Sequence, residues 1–342
     1  KVQLPSEDQA LMPSAVNSSP VIRLEEVSKR YGRTLALDAV SLEVGEQQIF
    51  ALLGPNGAGK TTMMHILSTL LRPDSGKAFV AGIDVMRQPL QARRRLGIVF
   101  QEPSLDDRLS VHENLDLHGL IFGVPRTLRR QRIEELLALV ELTDWADKTV
   151  RTLSSGMKRR LEIARALIHN SEILLLDEPT VGLDAQTRDR IWHYIRRLQA
   201  ERAITVLVTT HYIEEVENCD QVCVIDNGKV LADGAPKALK RQFGQQLLRI
   251  VPKTELDHSE IVKRYAERLN QVDKTEIILA SDDTFSESFL AENGARIKAL
   301  SIEVPSLESV FLTLTGRDIR DAAADQREQT KTFGKIGGEH TK

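Results

Sequence analysis

The run Gly54-Pro55-Asn56-Gly57-Ala58-Gly59-Lys60-Thr61-Thr62 has the make-up of a phosphate cradle. Its glycines let successive backbone N–H groups turn toward one point, and a helix opening at Lys60 adds a positive end. Lys60 supplies a mobile cation for two or three phosphates, and Thr61 a hydroxyl for the Mg²⁺ that travels with them. The pattern G-x-x-x-x-G-K-T has meaning only between a strand and a helix. Here a continuous apolar run, 49–53, precedes it and Met63-Met64-His65-Ile66-Leu67 continues it with helical character, so the stretch reads as a nucleotide site.

Holding phosphates does not hydrolyse them. A second apolar run, Ile173-Leu174-Leu175-Leu176, ends in Asp177-Glu178-Pro179-Thr180. A carboxylate delivered by a buried strand can stand beside a Mg²⁺ shell through water, which suits Asp177. The next carboxylate points elsewhere, so Glu178 is placed to polarise an attacking water. A pair of acids that merely caps a turn is the plainer alternative, and its place after a phosphate loop disfavours that.

Positioning these groups requires strands buried on both faces. The runs 49–53, 173–176 and 204–208 are apolar throughout, as parallel strands covered by helices must be. Helical patterns at 186–198 and 213–219 lie between and after them. Alternating strands are expected at 21–24 and 40–44, with another at 78–82 after the turn 74–77. Leu96-Gly97-Ile98-Val99-Phe100 reads as a strand that delivers Gln101 at its end. The stretch 111–142 is helical, and its basic cluster Arg129-Arg130-Gln131-Arg132 is expected on a solvated face. Asp226-Asn227-Gly228 between two strand-like runs predicts a hairpin. After Gly244 strand-like runs at 247–251, 275–280 and 297–304 alternate with helical ones at 257–269, 286–293 and 306–315, a small α+β unit. Residues 1–20 read as disordered and 317–342 as a polar tail.

The totals bound the rest. With 342 residues, 41% hydrophobic and 28% charged, the chain can bury a full core and divide into two domains. A net charge of −3 gives no case for binding nucleic acid. No apolar run is long enough to span a bilayer and no signal core is seen near residue 1, so a cytosolic chain is expected. Cys219 and Cys223 are too few for a disulfide framework and have no nearby histidine to suggest zinc, which leaves two reduced core thiols.

Between the two nucleotide motifs lies Leu153-Ser154-Ser155-Gly156-Met157-Lys158-Arg159-Arg160. With it, the chain resembles the ATP-binding cassette (ABC) ATPases over roughly residues 21–240, these residues matching the family signature LSGGQ and its basic helix start. Gln101 resembles the family's Q-loop glutamine, Gly182-Leu183-Asp184 the D-loop and His211 the switch histidine. Tyr31 sits where the family stacks a ring on adenine. Taken singly, Tyr31 also fits a core aromatic, Gln101 a strand-end polar residue and His211 a structural histidine.

The resemblance implies an α/β phosphate-loop NTPase. Residues 21–243 would form a cassette with a mainly parallel sheet, an antiparallel N-terminal β-subdomain and a helical subdomain at about 104–165; residues 244–316 would be an accessory domain. It implies ATP and Mg²⁺ as cofactors, with Thr61, Gln101 and, through water, Asp177 serving the metal. Glu178, His211 and Gln101 would carry hydrolysis. Ser154, Ser155, Gly156, Met157 and Asp184 would complete the site of a second copy or a homologous cassette in a head-to-tail dimer. Ser155 and Met157 depart from the signature, and serine in place of glycine would cost about 1 kcal/mol if φ there were positive.

Resemblances finer than the family are present too. Gln101-Glu102-Pro103-Ser104-Leu105-Asp106, the helix start at 159–164 and the ending 304–316 resemble the daunorubicin-resistance exporter cassettes. They imply a separate ABC-2-type permease exporting a drug, lipid or polymer, with this chain on the cytoplasmic face of the inner or plasma membrane. The alternative is a soluble mechanical ATPase of translation or chromosome maintenance. Against it stand a single cassette and a segment between Lys60 and Leu153 too short for a coiled coil. A ligand-sensing role for the C-terminal unit competes with that of a dimer-stabilising appendage.

Overall fold

The computed structural model describes residues 20–244 and 246–315. The expected disordered segment 1–20, Pro20 excepted, and the polar tail 317–342 lie outside the described residues.

The chain opens with a long hairpin, β1 (Ile22–Tyr31) and β2 (Thr34–Val44), then enters β3 (Ile49–Leu53) and α1 (Lys60–Leu67). It returns through β4 (Ser75–Val80), β5 (Ile83–Asp84) and α2 (Pro89–Arg95) to β6 (Leu96–Val99). β4 starts inside the turn expected at 74–77, because its first residues pair with β1 as far as Ser28↔Ser75. Strands β2-β1-β4-β5 form an antiparallel sheet.

Three helices follow: α3 (Val111–Ile121), α4 (Arg126–Leu139) and α5 (Ser155–Leu167). The stretch read as helical over 111–142 is two helices, broken where Gly123 takes φ 71° and Pro125 caps α4. Ser110 and Glu113 form a reciprocal capping box at the start of α3. Arg129 corrects the reading of a solvated basic face. It is buried, donating from Nε to Asp116 Oδ1 at 2.6 Å and from Nη1 to the Val124 carbonyl at 2.8 Å. Arg129 thus serves the helix break, a requirement that the charge run alone does not reveal.

Then come β7 (Ile173–Asp177), α6 (Ala185–Arg202), β8 (Thr205–Thr210), α7 (Ile213–Val216), the hairpin β9 (Gln221–Asp226) and β10 (Lys229–Gly234), and α8 (Pro236–Phe243). The central sheet has the order β10-β9-β3-β8-β7-β6, parallel except for β10. Strands β3, β7 and β8 are buried along their whole length. Their side chains alternate between two cores: Ala51, Leu174 and Val206 face one, while Phe50, Leu175 and Leu207 face the other. The sheet is therefore the middle layer, and the carboxyl ends of β3, β7 and β8 emerge side by side.

The remaining elements are β11 (Gln246–Pro252), α9 (Glu255–Arg264), β12 (Leu269–Val272), β13 (Ile277–Ser281), α10 (Asp283–Asn293), β14 (Ile297–Glu303) and α11 (Leu307–Thr315). Four antiparallel strands, β12-β13-β11-β14, close over α9 and α10 around Leu248, Ile250, Ile261, Ile277, Leu279 and Phe289. The helix expected to run to 269 stops at Arg264, and β12 takes over. This four-residue edge strand has only polar Asn270 and Gln271 at its centre, so no alternation marks it. Helix α11 turns back, and its Leu307, Val310 and Phe311 join the core that holds Ala51 and Leu174.

Candidate functional site

The carboxyl ends of β3, β7 and β8 open into a cleft of about 750 Å³, a size suited to a nucleotide. Tyr31, Asn56, Gly57, Gly59, Lys60, Thr61, Thr62, Gln101, Glu178, Gly182 and His211 line it. Gly54, Pro55 and Ala58 lie buried behind the lining and shape the loop. Gly54 has no room for a side chain, since a Cβ there would stand 2.2 Å from the Ile225 carbonyl oxygen. Gly59, at φ 107°, caps α1 in a conformation that an L-residue resists. Tyr31 is half exposed at the end of β1, an open ring face beside the loop rather than a core aromatic.

Lys60 reaches back along its own loop. Its Nζ donates to the carbonyls of Gly54 at 2.8 Å and Pro55 at 3.0 Å, and lies 3.1 Å from Glu178 Oε1. Burial pulls the ammonium below its ordinary value, against the opposing pull of Glu178 and Asp177. Burial pushes Glu178 the other way, up, but His211 and Lys60 outweigh it and hold the carboxyl below its ordinary value. His211 Nδ1 stands 3.3 Å from Glu178 Oε2, a close polar approach short of a hydrogen bond.

Glu178 itself takes φ 45°, left-handed for a residue with a Cβ, at a cost of roughly 1 kcal/mol or more. What holds it there is β8. The Glu178 N–H donates to the Thr209 carbonyl at 3.2 Å and to Thr209 Oγ1 at 3.0 Å. Thr209 Oγ1 in turn donates to Asp177 Oδ1 at 2.6 Å, and Thr61 Oγ1 approaches the same oxygen at 3.4 Å. Asp177 is thereby fixed behind Thr61 while Glu178 turns toward the cleft.

The signature residues lie elsewhere. Ser154, Ser155, Gly156, Met157 and Asp184 take no part in the cleft lining. Ser154 caps α5, its Oγ accepting from the Met157 N–H at 3.3 Å. Asp184 caps α6, accepting from the Thr187 N–H at 2.9 Å and from Thr187 Oγ1 at 2.7 Å. Gly156 packs on that same threonine, since a Cβ would stand 2.4 Å from Thr187 Cγ2. Ser155 is the first residue of α5 with ordinary helical φ, so the strain that serine would bring at positive φ does not arise.

Sequence reasoning missed the groups that hold these segments in place. Arg159, buried on α5, donates from Nη1 to the Phe100 carbonyl at 2.7 Å and to Glu162 Oε2 at 3.0 Å. Its Nη2 donates to the Gln101 carbonyl at 3.2 Å, and Glu162 Oε1 accepts the Ser104 N–H at 2.8 Å. The available signal was two charges at i and i+3 on the apolar stripe of an amphipathic helix. Tyr212, Val181, Thr34 and Ala36 also line the cleft, and no residue type or spacing singles them out. Cys219 and Cys223 are free and buried, which pushes the Cys219 thiol up to about 12.

Comparison with known proteins bears on this geometry. The model of the ABC transporter family matches residues 37–181. The daunorubicin resistance ATP-binding protein DrrA2 of Streptomyces coeruleorubidus is 39% identical over 316 residues, covering 89% of this chain and 98% of that one. The Nod factor export ATP-binding protein I of Ralstonia nicotianae is 39% identical over 312 residues, covering 90% and 97%. Among solved structures, cbiO1 of Clostridium perfringens, part of the ABC transporter complex cbiONQ, matches with a TM-score of 0.61 at 28% identity, covering 74% of this chain and 96% of that one. The ATP-binding cassette MJ0796, dimeric in a post-hydrolysis state with ADP and Pi, matches with a TM-score of 0.56 at 31% identity, covering 63% and 98%. At 39% identity over 89% of its length to one such protein, the chain belongs to the ATP-hydrolysing ATP-binding proteins of the ABC transporter family.

Proposed function

We propose that this chain is the engine of an exporter, paired head to tail with a second cassette and docked on a separate ABC-2-type permease at the cytoplasmic face of the inner or plasma membrane. The observation that carries the reading is the separation within one chain: Lys60, Glu178 and His211 line the cleft, whereas Ser154, Gly156 and Asp184 do not. The export class follows the relatives, which include resistance and export ATP-binding proteins. No helix among the described residues is long and apolar enough to cross a membrane, in keeping with a division of labour between engine and permease.

In this reading residues 21–243 are the cassette, with a helical subdomain at about 104–165, and 244–316 an accessory unit. Tyr31 stacks on adenine, and the loop amides with Lys60 hold the β- and γ-phosphates. Glu178 orients and deprotonates the attacking water, and His211 hydrogen-bonds the γ-phosphate. Lys60 bridges Glu178 and two loop carbonyls, which ties the phosphate loop to the end of β7. Thr61 presents a hydroxyl oxygen at the cleft with the Asp177 carboxylate behind it, which fits Mg²⁺ held by Thr61 and, through water, by Asp177, with Gln101 completing the set. The ion would neutralise charge on the phosphates.

The test is ATP hydrolysis by the purified chain across a protein dilution series, beside Glu178→Gln. Activity rising faster than linearly, with an ATP-dependent dimer trapped in the variant, is expected. Linear activity indifferent to the substitution would overturn both the shared site and the role of Glu178. For the partner, membranes carrying an ABC-2-type permease from the same organism should retain it and bare membranes should not.

A further inference from the structure

Behind the cleft lies a buried carboxylate that the reaction as read so far does not use. Glu215, on α7, has 2% of its side chain exposed. Its Oε1 accepts the hydroxyl of Thr180, and its Oε2 accepts that of Thr210 at 2.5 Å. Both threonines are buried. Thr180 stands two residues after Glu178, at the start of the stretch that ends in Asp184. Thr210 immediately precedes His211, and its Oγ1 accepts the Tyr212 N–H at 3.0 Å. Arg188, on the helix that Asp184 caps, lies 3.8 Å from Glu215 Oε1 and stacks on the Tyr212 ring at 4.1 Å.

We infer that Glu215 is a positioning residue, locking the segment that carries His211 to the segment running from Glu178 to Asp184. The chemistry favours a carboxylate for this. Two hydroxyls donate to it at once, one to each oxygen, which an acceptor-only group satisfies and an amide does not. A buried carboxylate is also strongly disfavoured unless its oxygens are bonded, so the two threonines and Arg188 are drawn into one arrangement. Movement of either segment alone would strand a buried oxygen. The two therefore move together or not at all, and a displacement at Asp184 reaches His211 through one side chain. The inference rests on the proposed roles of Glu178, His211 and Asp184.

The experiment uses the full chain with Glu215→Gln, Glu215→Asp, Thr210→Val and Thr180→Val, and Glu178→Gln as reference. Glu215→Gln is expected to lower kcat by about tenfold to a hundredfold, as a misplacement near 1 Å would. Affinity for a fluorescent ATP analogue should stay within about twofold, since Glu215 is not part of the cleft lining. Glu215→Asp should recover part of kcat, and adding Thr210→Val to Glu215→Gln should cost little beyond Glu215→Gln alone. Amide hydrogen exchange gives a readout independent of turnover: Glu215→Gln should accelerate exchange in 178–184 and 209–214 together. If Glu215→Gln fails to fold, the two threonine variants must show the same kcat loss at unchanged affinity. Unchanged kcat, equal losses in affinity and turnover, or loosening of one segment alone would overturn the inference. If Glu178→Gln retains wild-type turnover, the underlying reading of the site fails instead, and the exchange result still decides whether Glu215 couples the segments.

Discussion

Replacing Arg159 with methionine should cost far more than the loss of one surface charge, and should slow hydrolysis through Gln101. Arg159 and Glu162 have side chains exposed by 8% and 2%, so they meet out of water. The substitution removes three bonds, to the Phe100 carbonyl, the Gln101 carbonyl and Glu162 Oε2. It leaves Glu162 with the Ser104 N–H. Burial already pushes the Glu162 carboxyl above its ordinary value with Arg159 and Arg165 beside it. Without Arg159 its charge is left stranded with only the longer-range pull of Arg165 and takes up a proton more readily, so a cost toward the low end of about 3–5 kcal/mol is expected. Arg159→Met/Glu162→Met removes that stranded charge and should cost at least about 2 kcal/mol less than the two single changes added together. Urea unfolding followed by circular dichroism reads the stability. ATP turnover under fully folded conditions reads the function, and it should fall in the single and the double variant alike, because both release the Gln101 backbone. A cost under about 1 kcal/mol, or strict additivity, would show that the pair is not coupled. A stability loss with unchanged turnover would show that the grip on 100–101 has no part in hydrolysis.

Three further outcomes follow from particular contacts. Gly156→Ala drives a Cβ to 2.4 Å from Thr187 Cγ2, so it should destabilise by about 1–3 kcal/mol, measured by thermal or urea unfolding, and weaken the ATP-trapped dimer in sedimentation. Tyr31→Ala should leave stability within about 0.5 kcal/mol because the ring is half exposed, while ATP affinity falls roughly fivefold, as loss of about 1 kcal/mol of stacking requires in a binding titration. Acid should destabilise the chain through His118, whose pKa burial, Arg165 and His169 lower to about 4. The unfolded chain then binds more protons over pH 4–6.5, so this contribution is complete above that window and lost as pH falls through it. Between pH 7 and pH 5 it amounts to about 2 kcal/mol, and His118→Gln should flatten the pH dependence of the unfolding midpoint by that much.

What could be read in the chain, and what could not, divides by the range of the physics. The phosphate loop and the strand-end acids are legible because each is a short stretch whose strand or helix setting is itself local, whereas His211 is reached only through the family resemblance. The covered strands are legible for the same reason: full burial of β3, β7 and β8 demands apolar runs that no other element needs. Arg129 was misread and Glu215 passed over because their partners are distant or on another element. Arg129 meets Asp116 thirteen positions away, and Glu215 meets Thr180 thirty-five away. A charge on a helix looks the same in sequence whether water or a buried hydroxyl receives it. Strand β12 was missed for the opposite reason, since an edge strand of four residues carries too little burial to impose a period.

The two departures from the signature show how far spacing alone can mislead. From the letters, serine in place of glycine at 155 suggests a strained backbone, and methionine at 157 suggests a lost amide. In the folded chain the position that admits no side chain is Gly156, wedged against Thr187, while Ser155 is an ordinary first residue of a helix. Met157 contributes its backbone N–H to the Ser154 cap and packs its side chain on the core beneath. Two features of the motif are therefore used by this geometry: a capping hydroxyl at 154, and the absence of a Cβ at 156. Both are present. The neighbouring positions are set by helix formation and packing, which serine and methionine satisfy. Within one chain, Ser155 and Met157 disturb neither the cap at Ser154 nor the close fit of Gly156 on Thr187.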